Sequence, residues 1–352
     1  MAYKDLFLSS FANLDILGLA GTEFLFFCLL PFIASLSALF LYKKFAPKFG
    51  MIANQNERSS HEGVKIVSGG LCLILVLFFG ILGFVFNIVE FSLIHFTQPI
   101  VIIGIFTLLL SVLGFLDDKY SLSPKLRLLL QMIFVSAGLY FGFENGLPFF
   151  DSFMSPYILW PILFFGWIWF INLYNFMDGI DGITSVQTLS IITGLFLMNG
   201  IAPELFMVLS GVIIAFLVFN LPPSKMFMGD SGSIALGYFL GFFLIKLAGA
   251  SAFGFIVAMI LPLYYLVDAT YTLIKRVKNG HKPWDAHRTH FYQQIAGLKC
   301  EGHKRFIIYL FVLNIVLIGL CYLIPVLSYG TLAVALAITA LSIIWMLKKF
   351  KS

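Results

Sequence analysis

Charge is what this chain has least of: 11% of its 352 residues are Asp, Glu, Lys or Arg, against roughly 25% in a soluble domain. So little charge cannot clothe a globular surface in water, and a hydrophobic content of 60% excludes intrinsic disorder too. Paired cysteines are also lacking. Cys28, Cys72, Cys300 and Cys321 are scattered, three of them in apolar runs and none in a Cys-x-x-Cys spacing, so neither a disulfide framework nor a zinc site is indicated. The three in apolar runs read as small buried hydrophobes. Internal repeats, low-complexity tracts and any stretch polar enough for a soluble domain are missing, so residues 1–352 read as a single membrane-embedded domain. A signal peptide is not expected: Lys4, Asp5, Asp15 and Glu23 precede the first long apolar run, without an A-x-A cleavage pattern.

What the chain has in quantity is apolar runs near the roughly 20 residues that span a bilayer. They fall at Phe24–Tyr42, Gly69–Ile88, Gln98–Leu116, Leu128–Phe143, Tyr157–Ile171, Ile183–Met198, Leu205–Asn220, Ile234–Leu247, Phe253–Ile274, Phe306–Leu327 and Thr331–Leu347. The reading is therefore an all-α, polytopic integral membrane protein of about eleven transmembrane helices, the shorter of which extend into their polar flanks. Of the 22 Lys and Arg residues, 20 lie on the C-terminal side of odd-numbered spans, and the exceptions are Lys4 and Lys246. The positive-inside rule then places the N-terminus outside and the C-terminus in the cytoplasm. Lys246 is expected to snorkel to the headgroups. Gly237-x-x-x-Gly241 suits close helix packing, either in a dimer or within the bundle.

Five connections on the basic side carry polar clusters. The third span ends in Leu116-Asp117-Asp118-Lys119-Tyr120. Two carboxylates at a helix C-terminus repel each other and oppose the macrodipole, which points to a metal or acid–base role rather than a solvated end. After the fifth span comes Asn172-Leu-Tyr-Asn175-Phe-Met-Asp178-Gly-Ile-Asp181-Gly182. Its two acids, three apart, share one side if the segment is helical, and the ligand pattern of a calcium EF-hand is missing. Met228-Gly-Asp230-Ser-Gly-Ser233 runs straight into the eighth span. A helix N-terminus suits phosphate, although a plain N-cap is the competing reading.

The longest connection holds His281-Lys-Pro-Trp-Asp-Ala-His287-Arg288-Thr-His290. Without a third or fourth ligand at zinc spacing, it reads either as an anion-binding loop or as a basic patch against anionic lipid. The first connection, Asn56-Glu-Arg-Ser-Ser-His61 through Lys65 to Gly69-Gly70, is a weak phosphate cradle. Taken together, acids from three loops and bases from two others imply a divalent metal, a phosphate and a lipid substrate. Magnesium is the first choice, being held by one or two carboxylates plus substrate phosphates. Asp268, inside the ninth span, is read as a structural partner of a base or of helix backbone.

In order and membrane side, these motifs resemble the polyprenyl-phosphate N-acetylhexosamine-1-phosphate transferases, over about residues 20–345. The resemblance implies transfer of an N-acetylated sugar-1-phosphate from a UDP-sugar to undecaprenyl phosphate, releasing UMP. It implies Mg2+ (or Mn2+) and an active site on the cytoplasmic face of a bacterial inner membrane. It admits a homodimer and gives no reason to expect a nucleic-acid partner. Carried over by residue, Asp230 is similar to the main metal ligand and Asn175 to a second ligand or close neighbour. Asp117 and Asp118 match the catalytic Asp pair associated with the lipid phosphate. Asn172, Asp178 and Asp181 would line the nucleotide–sugar side. His287, Arg288 and His290 match the loop holding diphosphate and sugar, with Lys125 and Lys65 as further phosphate ligands.

Two departures from the family pattern matter. The muramoyl-pentapeptide branch has three consecutive histidines where this chain reads His287-Arg-Thr-His290, so the resemblance is to the branch that starts O-antigen and other surface polysaccharides. Val64-Lys-Ile-Val-Ser68 stands where many relatives carry Pro and Arg. The expected chemistry is a direct displacement by a phosphate already mostly dianionic, its second pKa being about 6, with Asp117 or Asp118 taking any remaining proton. The rival is a covalent phospho-aspartyl intermediate. From other classes, a secondary transporter fits poorly because its ionisable groups would sit at mid-membrane, and a lipid-binding scaffold would not need acids set among glycines.

Overall fold

The computed structural model describes residues 25–52, 65–85, 97–199, 203–282, 288–297, 299–327 and 330–350. The first connection's Asn56–Gly63 stretch and His287 lie outside the described residues. The helices are α1 (Leu30–Phe45), α2 (Gly70–Val85), α3 (Thr97–Tyr120), α4 (Pro124–Gly142), α5 (Pro148–Asp151), α6 (Pro156–Phe176) and α7 (Ile183–Asn199). They continue as α8 (Pro203–Asn220), α9 (Asp230–Ala250), α10 (Ala252–Ile260), α11 (Leu263–Lys278), α12 (Phe291–Ala296), α13 (Cys300–Leu327) and α14 (Gly330–Phe350). Among the described residues there are two isolated β-bridges, Ile52 with Ile66 and Ile66 with Met226. Among the described residues, seven helices are long and apolar enough to cross a membrane, or eight if the bent pair α10–α11 is one span, and three shorter apolar helices lie at Gly70–Gly83, Ile183–Leu197 and Glu204–Asn220. This is a polytopic helical membrane protein.

Several helices run past their apolar stretches into polar flanks. The eighth apolar run, Ile234–Leu247, becomes α9 from Asp230 to Ala250, and the tenth begins at Cys300 rather than Phe306. One expectation is corrected. Phe253–Ile274 is not one continuous helix but two, α10 and α11, which meet at a 67° bend. Pro262 stands at the break as the N-cap of α11, where a helix interior could not accommodate its ring or its missing N–H.

α9 is the centre of the bundle. It is apolar on every side, as a fully enclosed helix must be, and Ser231 through Leu244 are all buried. α2, α3, α6 and α10 pack directly on it. The Gly237–Gly241 stripe meets α6 of the same chain. A Cβ at Gly237 would lie 3.0 Å from the Ile171 Cα, and one at Gly241 would lie 2.4 Å from Trp167 Nε1. Trp167 uses the space so opened: its ring stacks on Tyr238 at 4.7 Å, and Nε1 donates to the Tyr238 carbonyl at 3.0 Å. The stripe therefore serves packing within the chain and is not available as a dimer face.

At the head of α9, two connections are woven together through their backbones. Phe227 N donates to Ile66 O (2.8 Å), Gly69 N to Phe227 O (3.0 Å) and Gly70 N to Met228 O (3.0 Å). The approach is so close that a Cβ on Gly70 would stand 2.2 Å from the Gly232 Cα. Gly70→Ala is therefore expected to destabilise the protein by about 1–3 kcal/mol or more, as overpacking against rigid backbone does. Gly166→Ala in α6, where the added Cβ meets nothing within 4 Å, should be neutral or stabilise by up to about 1 kcal/mol. Thermal unfolding of the purified protein in detergent checks both.

Candidate functional site

The site forms where α3 ends, α9 begins and the α6–α7 turn passes between them. Asp118 is the keystone. Its Oδ1 accepts from Asp230 N at 3.1 Å, and its Oδ2 accepts from Ser231 N at 3.5 Å and from the Ser68 hydroxyl. It thus caps α9 from outside, supplying an acceptor for N–H groups that have no partner within their own helix and negative charge at the positive end of the dipole. Gly229, at φ +72°, makes the turn before it, and a Cβ there would strike Asp118 Oδ2 at 2.3 Å. Gly114 lets α3 come this near, since a Cβ on it would lie 2.4 Å from the Asp230 carbonyl carbon.

Asp117 and Asp230 are joined by a residue not singled out from the sequence. Arg127 Nη1 lies 2.5 Å from Asp117 Oδ2 and 2.7 Å from Asp230 Oδ2. α4 is started by Ser123, which caps Leu126 N at 3.3 Å with Pro124 following, and Arg127 stands one turn in. The signal was present: Ser-Pro three residues ahead of Arg, a short turn after the Asp pair, places that Arg back beside it. The other oxygen of Asp230 accepts from Asn175 Nδ2 at 2.9 Å, and the same amide reaches Ser233 Oγ at 3.0 Å. Asp178 completes the group. It is half-buried, and loss of hydration, followed by the charges of Asp230 and Asp118, holds its carboxyl up at about 8, against the pull of Thr184.

The structure does not bring Asp181 to this cluster. Residues Met177–Gly182 form a turn rather than a helix, so the three-residue spacing does not put Asp178 and Asp181 on one side. Asp181 points inward and is fully buried. Its carboxylate accepts from Ser224 N (3.0 Å) and Ser224 Oγ (2.7 Å), and Lys65 Nζ is 3.8 Å away. His303 Nδ1 lies 3.6 Å from it. Lys65 is buried as well: it donates to Ser224 Oγ at 3.0 Å and lies over the Phe227 ring. Burial lowers its pKa, and Asp181 opposes that shift. These two residues form a knot tying together the first connection, the α6–α7 turn, the α8–α9 connection and α13. Asn220, also unforeseen, supports the same turn by accepting from Gly182 N at 3.0 Å and donating to Met226 O at 3.0 Å.

Asn172 faces α4, donating to Gln131 Oε1 and to its own helix at Ile168 O, both at 2.8 Å. Lys125 is exposed at the start of α4, and Arg288 is exposed in the long connection. His290 is buried and begins α12. Its Nδ1 lies 3.2 Å from Asp268 Oδ1. Asp268 also accepts from Phe291 N and Tyr292 N, both at 2.9 Å, from Tyr264 Oη at 3.1 Å and from Thr272 Oγ1 at 3.2 Å. The structural role read for Asp268 is thus specific: it anchors the returning end of the long connection to α11. Tyr292 then ties that end to α6 by donating to Phe176 O at 3.1 Å. Gly179 leaves room for the Tyr292 hydroxyl, which a Cβ there would overlap at 2.0 Å.

Asp117 and Asp230 share one guanidinium, with Asp118 and Asp178 beside them, so acidic groups outnumber the bases in contact with them. Among the described residues, no three His, Cys, Asp or Glu side chains could enclose an ion by themselves. That suits Mg2+, which takes one or two carboxylates and completes its shell with water and substrate phosphates. Asp230 and Asp117 would hold it.

Acidic groups gathered at helix ends, with the exposed Arg288 in the long connection, are groups that could hold a cation and an anionic ligand. Residues 100–248 match the family described as Glycosyl transferase family 4, a stretch that holds both Asp117-Asp118 and Asp230. Similarity to relatives extends further. A Bacillus subtilis (strain 168) protein described as a probable undecaprenyl-phosphate N-acetylglucosaminyl 1-phosphate transferase is 29% identical over 324 residues, 87% of this chain and 85% of its own. Undecaprenyl-phosphate alpha-N-acetylglucosaminyl 1-phosphate transferases of Yersinia pestis (26% identical; 79% of this chain, 78% of the relative) and Escherichia coli K12 (25%; 77% and 76%) also match. Over residues 100–248 the chain is similar to members of glycosyl transferase family 4.

Two outcomes test this geometry. Asp181→Ala strands a buried Lys65 and is expected to cost about 3–5 kcal/mol, whereas the double variant Asp181→Leu/Lys65→Met recovers most of it; a double-mutant cycle on thermal melting measures the difference. In EDTA, the raised Asp178 pKa means the folded state keeps a proton that the unfolded chain loses near its ordinary value of 3.8. Stability should therefore fall as pH rises from about 4 to about 8 and level off above. Asp178→Asn should reduce that slope in a pH series of melting temperatures, leaving the part due to Asp118 and Asp230, whose carboxyls burial also raises.

Proposed function

We propose that the protein transfers an N-acetylated sugar-1-phosphate from a UDP-sugar to undecaprenyl phosphate, releasing UMP. The observation that carries this reading is the gathering of Asp117, Asp118, Asp178 and Asp230 where α3 meets the head of α9, with Arg127 bridging Asp117 and Asp230. It is supported by relatives whose names specify that lipid acceptor and N-acetylglucosamine. UDP-N-acetylglucosamine is accordingly the first donor to test. Arg288 and the absence of a triple-histidine run in the last connection favour a lipid-linked surface glycan such as O-antigen over a muramoyl-pentapeptide product. In this reading the chain makes eleven spans in the inner membrane, and the one-sided distribution of Lys and Arg supports a site on the cytoplasmic face.

The reaction joins two anions, so its barrier is one of charge and positioning. Mg2+, when bound, neutralises phosphate charge. Asp230 and Asn175 fix its side of the site, and Asp118 keeps α9 in register, both of its oxygens being engaged by N–H and O–H donors. Asp118 is therefore a positioning residue in this reading. Asp117, which uses Oδ2 for Arg127, is the better placed of the pair to accept a proton from the monoanionic fraction of the lipid phosphate. Arg288 and Lys125, both exposed, are the cations available to the diphosphate.

Membranes containing the protein, supplied with undecaprenyl phosphate, Mg2+ and a panel of UDP-sugars, should release UMP with at least one N-acetylated donor and form the matching lipid-linked sugar. No UMP from any donor, or release independent of the lipid, overturns the reading. Asp230→Ala should lower turnover by about 100-fold or more, as expected when a charge-stabilising group is lost, with melting temperature as the control for folding.

A further inference from the structure

Arg127 meets its two carboxylates in an unusual way. A guanidinium commonly offers two parallel N–H groups to one carboxylate. Here a single nitrogen, Nη1, is 2.5 Å from Asp117 Oδ2 and 2.7 Å from Asp230 Oδ2. One positive atom stands where oxygens from α3 and α9 converge, which is how a metal ion would be placed. Mg2+–oxygen distances of about 2.0–2.1 Å would require each contact to close by only about half an ångström. The Arg127 side chain is 29% exposed, and its neighbours Lys125 and Leu126 are exposed too, so the guanidinium has room to turn outward.

We infer that Arg127 is a stand-in for the divalent cation. It holds Asp117 and Asp230 together before the ion binds, is displaced when the ion enters, and then becomes a ligand for the phosphate of the incoming substrate. The inference rests on the proposed cation-dependent phosphotransfer and adds to it a residue that changes partners. Without the stand-in, two carboxylates would face each other unscreened. With it, the cation must compete for its seat, and the anion gains Arg127 only after the cation is in place. Cation and phosphate therefore bind cooperatively, and the coupling is reciprocal.

The test uses the full chain in detergent, with Mn2+ as the probe and its free concentration read by electron paramagnetic resonance. Without substrate, Arg127→Met should bind Mn2+ more tightly than wild type, on the order of tenfold. A short-chain polyprenyl phosphate should tighten Mn2+ binding in wild type and much less in Arg127→Met. Arg127→Lys, which keeps the charge, should lie between, and it decides the matter if the Met variant melts early. Unchanged or weaker Mn2+ binding by folded variants overturns the role of Arg127 while leaving the cation-dependent reading intact. Failure of wild type to bind Mn2+ at all overturns both.

Discussion

The site depends on one contact: the Asp118 carboxylate closing the N-terminus of α9. α9 is enclosed on every side, so its first N–H groups open toward the protein rather than toward water and need an acceptor. Asp118 supplies it from the C-terminus of α3, where a second acid would otherwise be opposed by its own helix dipole. The two unfavourable helix ends resolve each other. This fixes Asp230 as the first residue of α9 and brings Asp117 with it. Ser68 is drawn in from the first connection, and glycines 70, 114 and 229 are the positions where no side chain would fit between the partners.

Around that contact, acids in similar surroundings are put to three different uses. Asp117 and Asp230 form an acidic mouth bridged by Arg127, with Asp178 beside them. Asp181 and Lys65 are spent on a buried knot between four segments. Asp268 accepts five hydrogen bonds and anchors the end of the long connection on the bent helix α11. The division follows from desolvation: an acid enclosed by N–H and O–H donors is stable as an anion but has nothing left to offer a ligand. An acid at a half-open mouth with few donors favours a cation.

That division explains which residues the sequence disclosed. The chemistry-bearing segments were legible, because polar residues in so apolar a chain stand out and because the charge count put them on one side. Asp230 with Asn175, and the use of Asp268 as a structural anchor, could be read from position. The assignment within segments was not. Asp178 and Asp181 look equivalent as letters, yet the turn at Gly179–Gly182 sends one to the mouth and the other inward. Lys65 and Arg127 look like interchangeable basic residues in two loops, yet one is buried beside Asp181 and the other bridges Asp117 and Asp230.

By itself, then, the sequence determined the environment of this protein, its helical class, which of its segments carry polar clusters, and its resemblance to a family. Those are properties of composition and periodicity, which accumulate along the chain. Only the tertiary structure decided that the Gly237–Gly241 stripe is filled by α6, that the ninth apolar run breaks at Pro262, and which carboxylate meets a helix end, a lysine or a guanidinium. Such pairings depend on angles and close approaches between segments up to about 160 residues apart, as with Lys65 and Ser224. No local pattern encodes them.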